Sequence, residues 1–334
     1  MSTFPFLSVP VLARNLIVKN LCLEDLIILS TCSKRAYNSV KAANITLNRI
    51  QLKLANLPSI LIEYPFDVYE YLGFAIWGPG FDREDLFYII YLNGVRVWWK
   101  SGILMPFYSE SVGGKEEALE LLYDYFRDLF KVNKLDVSLR PGIVKDFFLW
   151  KTTKSINKLE IDSLNTYDRP SPTILYPSEE EIKFAVEELN AKVLKISPDQ
   201  TRFYENGLKQ EEVQIEKANW LHINALLNSE SSRISLSNPW LSGSNLNLFV
   251  KNWVAGIGLE NFKHLFITYE NGWFTEGFQE KILRGIETVK WDPINRPENF
   301  EDNKLGAGRD FRRADGTWAT VLVDGRNFIF HVWK

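Results

Sequence analysis

Residues 4–43, FPFLSVPVLARNLIVKNLCLEDLIILSTCSKRAYNSVKAA, constrain the fold more than any other stretch. They read as three short helices. Pro10 stands where a first helical residue tolerates proline, because that N–H would lack a partner in any case. Leu12, Leu16 and Ile17 then fall on one face at helical spacing. The second segment, 23–30, carries Leu23, Leu26, Ile27, Ile28 and Leu29 and is apolar nearly all round. A helix of that kind is covered on more than one side. The third, 32–41, sets Cys32, Ala36, Tyr37 and Val40 against Lys34, Arg35 and Lys41. So small a unit buries too little of its own surface to cover two-sided helices. The remainder needs a cover, either from the rest of this chain or from another protein.

Composition narrows the classes. A chain of 334 residues, 46% hydrophobic and 24% charged, suits a globular protein of two or three domains. No apolar run approaches the roughly 20 residues of a membrane span, so no membrane partner is expected. The opening residues lack a basic segment followed by an apolar core and cleavage site, so secretion is not expected either. With two cysteines, Cys22 and Cys32, a disulfide framework is excluded and a reducing compartment, cytoplasmic or nuclear, is the natural home. Net charge −3 gives no overall attraction for nucleic acid. Residues 1–50 hold six basic against two acidic side chains, leaving 33 basic and 40 acidic for the remainder. A basic cap on an acidic body can steer an acidic protein partner, or it can be a solvated face.

Along the chain, residues 44–57 continue as a helix through Ile50, Leu52, Leu54 and Leu57, and a strand covers 59–63. Asn93-Gly94 between apolar runs at 86–92 and 95–100 marks a hairpin, both turn positions needing positive φ. An amphipathic helix covers 116–131 with Leu119, Leu122, Tyr123, Phe126 and Phe130 on one side. Short apolar-x-apolar strands then recur around Val137, Ile161, Ile196, Ile215, Leu236, Ile267 and Trp291, at steps of 24, 35, 19, 21, 31 and 24. Helical signals fill most gaps. Ser178 with Glu181 is a capping box, followed by Ile182, Ala185, Val186 and Leu189. A further helix covers 245–254, with Gly256 as a left-handed cap. Strand plus helix at such a period is the sign of a leucine-rich-repeat-like coil, here irregular; a doubly wound sheet is the competitor. Asp315-Gly316 and Asp324-Gly325 flank a closing meander that covers the exposed end of the sheet.

Two stretches resemble a known family. Phe4-Pro5, Leu7, Val9-Pro10, Lys19-Asn20, Leu26, Leu29-Ser30 and Cys32-Ser33-Lys34-Arg35 resemble the F-box of nematode-type F-box proteins. Cys22-Leu23 departs from the family's Asp-Pro helix start; loss of an Asp cap costs about 1 kcal/mol and predicts a looser start to the second helix, not loss of the fold. Ile215, Ala218, Trp220-Leu221, Leu226-Leu227, then Leu246-Asn247, Phe249, Lys251, Trp253, Gly256, Leu265 and Ile267 resemble the F-box-associated type 2 domain. The domains so expected are an F-box at 1–48, an α+β segment at 49–131, and an α/β recognition domain at 132–334 containing an F-box-associated region at 211–291. The fold class is α+β and α/β: a three-helix F-box ahead of the irregular repeat-like domain.

A search for catalytic chemistry leaves no candidate. His222, His264 and His331 have no metal-ligand spacing, so no metal or cofactor is expected. Gly113-Gly114-Lys115 fails as a phosphate loop because Glu116 follows the lysine, and Gly256-x-Gly258 lacks its third glycine. The resemblance implies a non-enzymatic substrate receptor of a Skp–cullin–F-box ubiquitin ligase. Its partners are the Skp adaptor, through it a cullin, and a target protein. It implies adaptor contacts or their support at Val9, Pro10, Leu12, Leu16, Ile17, Leu21, Leu26, Leu29 and Tyr37. Among the tryptophans, Trp240, Trp273 and Trp318 at strand ends or in loops are candidate anchors for the target. The rival is an interaction scaffold or inhibitor whose F-box-like helices have lost the adaptor, which the Cys22-Leu23 start motivates.

Overall fold

The computed structural model describes residues 6–54, 58–64, 71–77, 88–99, 105–108, 114–162, 176–197, 204–270, 277–292, 294, 296, 299–300, 303–304 and 307–333. Of 71–77, 88–89, 98–99, 105–108, 299–300 and 303–304 only the backbone is described. The chain divides into two compact units, Met1–Leu139 with Phe148–Asn157, and Arg140–Phe147 with Lys158–Lys334.

The first unit opens with α1 (Val11–Lys19), α2 (Leu23–Cys32) and α3 (Lys34–Ala42). Caps set their limits. Cys22 Sγ accepts the Asp25 N–H at 3.4 Å and starts α2, so sulfur takes the place of the missing carboxylate. Ser33 Oγ accepts the Ala36 N–H at 3.1 Å and starts α3; Cys32 therefore ends the second helix instead of beginning the third. Asn44, at φ 55, breaks the helical path, and 46–54 is a strand where a continuing helix was expected. The reason lies in the buried Ile50, Leu52 and Leu54: a spacing of two fits a pleat, not a helix.

That strand is β1 (Thr46–Leu54). It is followed by β2 (Ser59–Glu63), β3 (Tyr71–Trp77), β4 (Tyr88–Leu92), β5 (Val95–Trp99), β6 (Met105–Tyr108), α4 (Lys115–Leu129) and β7 (Lys131–Leu139). β1 lies between antiparallel β2 and parallel β7. Beyond β2 the order is β3, β6, β5, β4. Asn93 and Gly94, at φ 50 and 85, make the β4–β5 turn that the dipeptide predicts. Helix α4 buries Leu119, Leu122, Tyr123 and Phe126, as its spacing predicts.

The second unit comprises β8 (Ser155–Ile161, whose first residues belong to the first unit), α5 (Glu179–Lys183), β9 (Asn190–Ile196), β10 (Glu212–Ile215), α6 (Ile223–Leu227), β11 (Arg233–Ser237), α7 (Gly243–Ala255), β12 (His264–Thr268), α8 (Phe278–Ile282), β13 (Val289–Lys290), β14 (Asn299–Phe300), β15 (Asn303–Lys304), β16 (Arg309–Arg312), β17 (Trp318–Asp324) and β18 (Asn327–Trp333). Strands β9, β10, β11 and β12 pair in parallel in chain order. They lack the order reversal that defines a doubly wound sheet. β18 takes the far edge of β12 antiparallel, with β17 and β16 beyond it, so the meander occupies an edge that would otherwise be open.

Burial alternates along these strands. Val213, Ile215, Ile234, Leu236, Leu265 and Ile267 are buried, whereas Gln214, Arg233, Ser235 and Phe266 are half-buried. Phe249 and Trp253 of α7 meet Phe330 of β18 edge-on, at centroid distances of 5.4 and 5.3 Å. Lys195 pairs with Glu160 at 3.1 Å and Glu216 at 2.9 Å. Asp310 is fully buried, paired with Arg296 at 3.1 Å and accepting from Thr320 Oγ1 at 2.5 Å. Trp333 Nε1 in turn donates to Thr320 Oγ1 at 2.7 Å.

Two local features hold the first parallel strands. The 178–181 capping box forms, and Glu181 also reaches outward: its carboxylate accepts the N–H groups of Gly142 (2.8 Å), Val144 (3.0 Å) and Ser178 (2.9 Å). After Lys183 the helix widens into a π turn, Phe184–Glu188, where an α-helix was expected to continue. Gln210, nearly sealed from solvent, explains it by donating Nε2–H to Val186 O at 2.9 Å. Nearby, a Cβ on Gly207 would stand 2.0 Å from the main-chain oxygen of Asn228.

Gly207→Ala is expected to cost about 3 kcal/mol or more in urea denaturation, because backbone cannot retreat as a side chain does. Glu181→Gln sets an amide donor against at least one of three backbone donors and is expected to cost about 2–3 kcal/mol by the same measurement.

Candidate functional site

Helix α1 buries Val18 alone. Leu12 is 81%, Leu16 64% and Val11 57% exposed, and Leu7 and Pro10, just ahead of the helix in sequence, are exposed too. Leu12 and Leu16 are one helical turn apart and form one stripe, while Val11, the first helical residue, is exposed off that line. Burying such a side chain is worth about 1.5–3 kcal/mol, which makes the stripe a ready contact surface. Ile28 of α2 is exposed as well. Lys19, Lys34 and Arg35, all exposed, put positive charge on the same three-helix segment.

The residues named for adaptor contact divide into two groups. Pro10, Leu12 and Leu16 are open, and Val9, Ile17, Leu21 and Leu29 are half-buried. Leu26 is fully buried and acts from within, as packing beneath the surface. Tyr37 is turned inward: its hydroxyl donates to Asp128 Oδ2 at 2.5 Å, while Lys41 Nζ reaches Asp128 Oδ1 at 2.6 Å. Burial first, then the Asp128 carboxylate, push the Tyr37 hydroxyl well above the ordinary tyrosine range. Ser30 hydrogen-bonds the Tyr125 hydroxyl, which burial pushes up to about 12. These contacts fasten α2 and α3 to α4, leaving α1 as the uncovered member. Val11 and Leu7, both exposed, are missing from the sequence-derived set; Leu7 lies in a 3₁₀ turn, Phe6–Ser8, ahead of α1, where helical spacing gives no signal.

The tryptophan anchors do not converge. Trp273 lies outside the described residues. Trp318 is half-buried on the wall of a cleft of about 1500 Å³, with the Arg296 guanidinium 4.6 Å from its ring centroid. Trp240 is 67% exposed and stands in a different cavity of about 710 Å³. This second cavity lies beyond the carboxyl ends of β10, β11 and β12. Asn238, at φ 54, donates its N–H to Thr268 O and accepts the Glu270 N–H on Oδ1, both at 2.7 Å. Tyr269 donates its hydroxyl to Leu241 O at 2.8 Å, and burial raises its pKa above the usual range. Ser242 and Asn245 form a capping box that starts α7 at Gly243, two residues earlier than the sequence pattern predicts. The walls are therefore set by hydrogen bonds before any ligand arrives.

His264 and His331 face each other across β12 and β18, ring centroids 5.6 Å apart. Among the described residues no group of three or more His, Cys, Asp or Glu side chains could hold a metal ion.

No helix among the described residues is long and apolar enough to cross a membrane. No solved structure matches the chain. An uncharacterized protein of Caenorhabditis elegans is 23% identical over 99% of this chain and 78% of its own length. Residues 205–267, which take in β10, α6, β11, α7 and most of β12, match the F-box associated family; the match covers the expected region from 211 as far as Ile267.

Proposed function

We propose that this protein is a non-enzymatic substrate receptor: the N-terminal helices are an F-box that docks on a Skp adaptor and, through it, a cullin. The second unit, a leucine-rich-repeat-like strand–helix array, holds a target protein. Acceleration then comes from proximity, because holding a target lysine near an activated thioester replaces a bimolecular search with a local one. Such a complex works in the cytoplasm or nucleus, which suits a chain with two free cysteines.

The observation that carries this reading is the open stripe of Leu12 and Leu16, with Val11 exposed at the start of the same helix, next to helices that bury Leu23, Leu26, Ile27, Ala36 and Val40. The F-box associated match at 205–267 supports it from the other end of the chain, since that domain type accompanies F-boxes in substrate recognition. The scaffold alternative drew on the unusual Cys22-Leu23 start. With Cys22 capping α2 at Asp25, that motive is weaker.

Pro10→Ala combined with Leu12→Asp is expected to reduce adaptor co-purification at least about 100-fold, the equivalent of roughly 3 kcal/mol. The melting temperature should stay at its parent value, both side chains being exposed. Undiminished capture of adaptor and cullin by the double variant would refute the reading.

A further inference from the structure

The cavity beyond β10, β11 and β12 pairs an exposed aromatic ring with uncompensated positive charge. Trp240 projects at its rim, and Leu241 and Phe278 supply apolar wall. Lys217 and Lys281 also line it, both exposed, against one carboxylate among the described lining residues, Glu270. Neither lysine has a carboxylate within ion-pair distance among the described residues. The volume, about 710 Å³, suits a few side chains and is too small for a folded domain. Tryptophan is the side chain most enriched at binding hot spots, where it seats an apolar partner group while its neighbours exclude water. A cation beside such a ring selects a segment bearing negative charge.

We propose that the Trp240 cavity captures a short acidic peptide segment of a target protein. One large apolar side chain of the segment packs on Trp240, Leu241 and Phe278, and flanking carboxylates meet Lys217 and Lys281. This assignment rests on reading the chain as a receptor and names what that receptor takes. The fixed walls, held by the Asn238 and Tyr269 hydrogen bonds, favour a rigid, pre-shaped seat that costs little ordering on binding. Glu270 disfavours an acidic group directly against it, so the carboxylates are expected on the lysine side of the apolar residue.

The test is fluorescence polarisation with the full chain and three labelled ten-residue peptide pools. The first pool carries one Trp, Phe or Leu flanked by Asp and Glu. The second replaces the acids with Lys and Arg, and the third replaces the apolar residue with Ser. Selective binding of the first pool is expected. Trp240→Ala should weaken it tenfold or more, as should Lys217→Glu with Lys281→Glu, whereas the double Lys→Arg variant should retain it. Thermal melts of the variants should match the parent, since all three side chains are exposed. Equal binding of the three pools, preference for the basic one, or indifference to both variants would overturn the assignment. A dimer in sedimentation that Trp240→Ala dissolves would give the cavity to a second copy and overturn it too. Adaptor capture, measured on the same proteins, keeps the two ideas apart. Adaptor bound with no pool selected sinks the cavity assignment alone, whereas selective pool binding without adaptor supports the cavity and removes the receptor reading.

Discussion

Burial of Leu23, Leu26 and Ile27 on α2 is the constraint from which the outer surface of the first unit follows. Those side chains turn inward, and the Ser30 hydroxyl is hydrogen-bonded to that of Tyr125, which sets the face that α2 presents to its own unit. α3 is fixed in the same way, by Tyr37 and Lys41 on Asp128 of α4. What is left is a nine-residue helix that touches α3 and buries one valine. So short a helix is marginal in water by itself, and most of its stability has to come from packing of its apolar face. The face it has to offer points away from its own unit.

Much of this was legible in the amino-acid sequence, for reasons that can be stated position by position. Asn93-Gly94, the Ser178 capping box, the Gly256 cap at φ 71 and six of the apolar-x-apolar strands are local signals, each decided within a few residues; the seventh, expected around Trp291, is only the two-residue exposed strand Val289–Lys290. The stripe on α1 was legible because helical spacing alone reveals it. Less visible was anything decided at a distance. β1 was misread as helix because its neighbours β2 and β7 supply the pairing, and β7 lies some eighty positions downstream. The tie of Tyr37 to Asp128 has no local signal, because the two are 91 residues apart. The π turn at 184–188 depends on Gln210, which no pattern near that turn announces. The Trp240 cavity is assembled from the segments after three strands together with the starts of α7 and α8, so Trp240 could be suspected singly but its lysines could not.

The two candidate surfaces differ in physical character. The α1 stripe is apolar, bordered by exposed Lys19, and carried on a helix that buries one valine, which suits a partner that adds the missing cover. The Trp240 cavity is concave and mixed in polarity, and its walls are tied by main-chain hydrogen bonds, which suits selection among chemically similar segments. Affinity at the first depends on area; at the second it depends on how well the seat is shaped beforehand.

The close approach of Gly207 to the carbonyl of Asn228 carries an evolutionary consequence. The residue allowed at position 207 is decided by a neighbouring main chain, not by any side chain that drift could exchange. Loops 205–209 and 226–230 are therefore yoked: a lengthening of one survives only with a compensating change in the other. Divergent sequences that keep this crossing should retain a glycine there even where their hydrophobic residues have all been replaced.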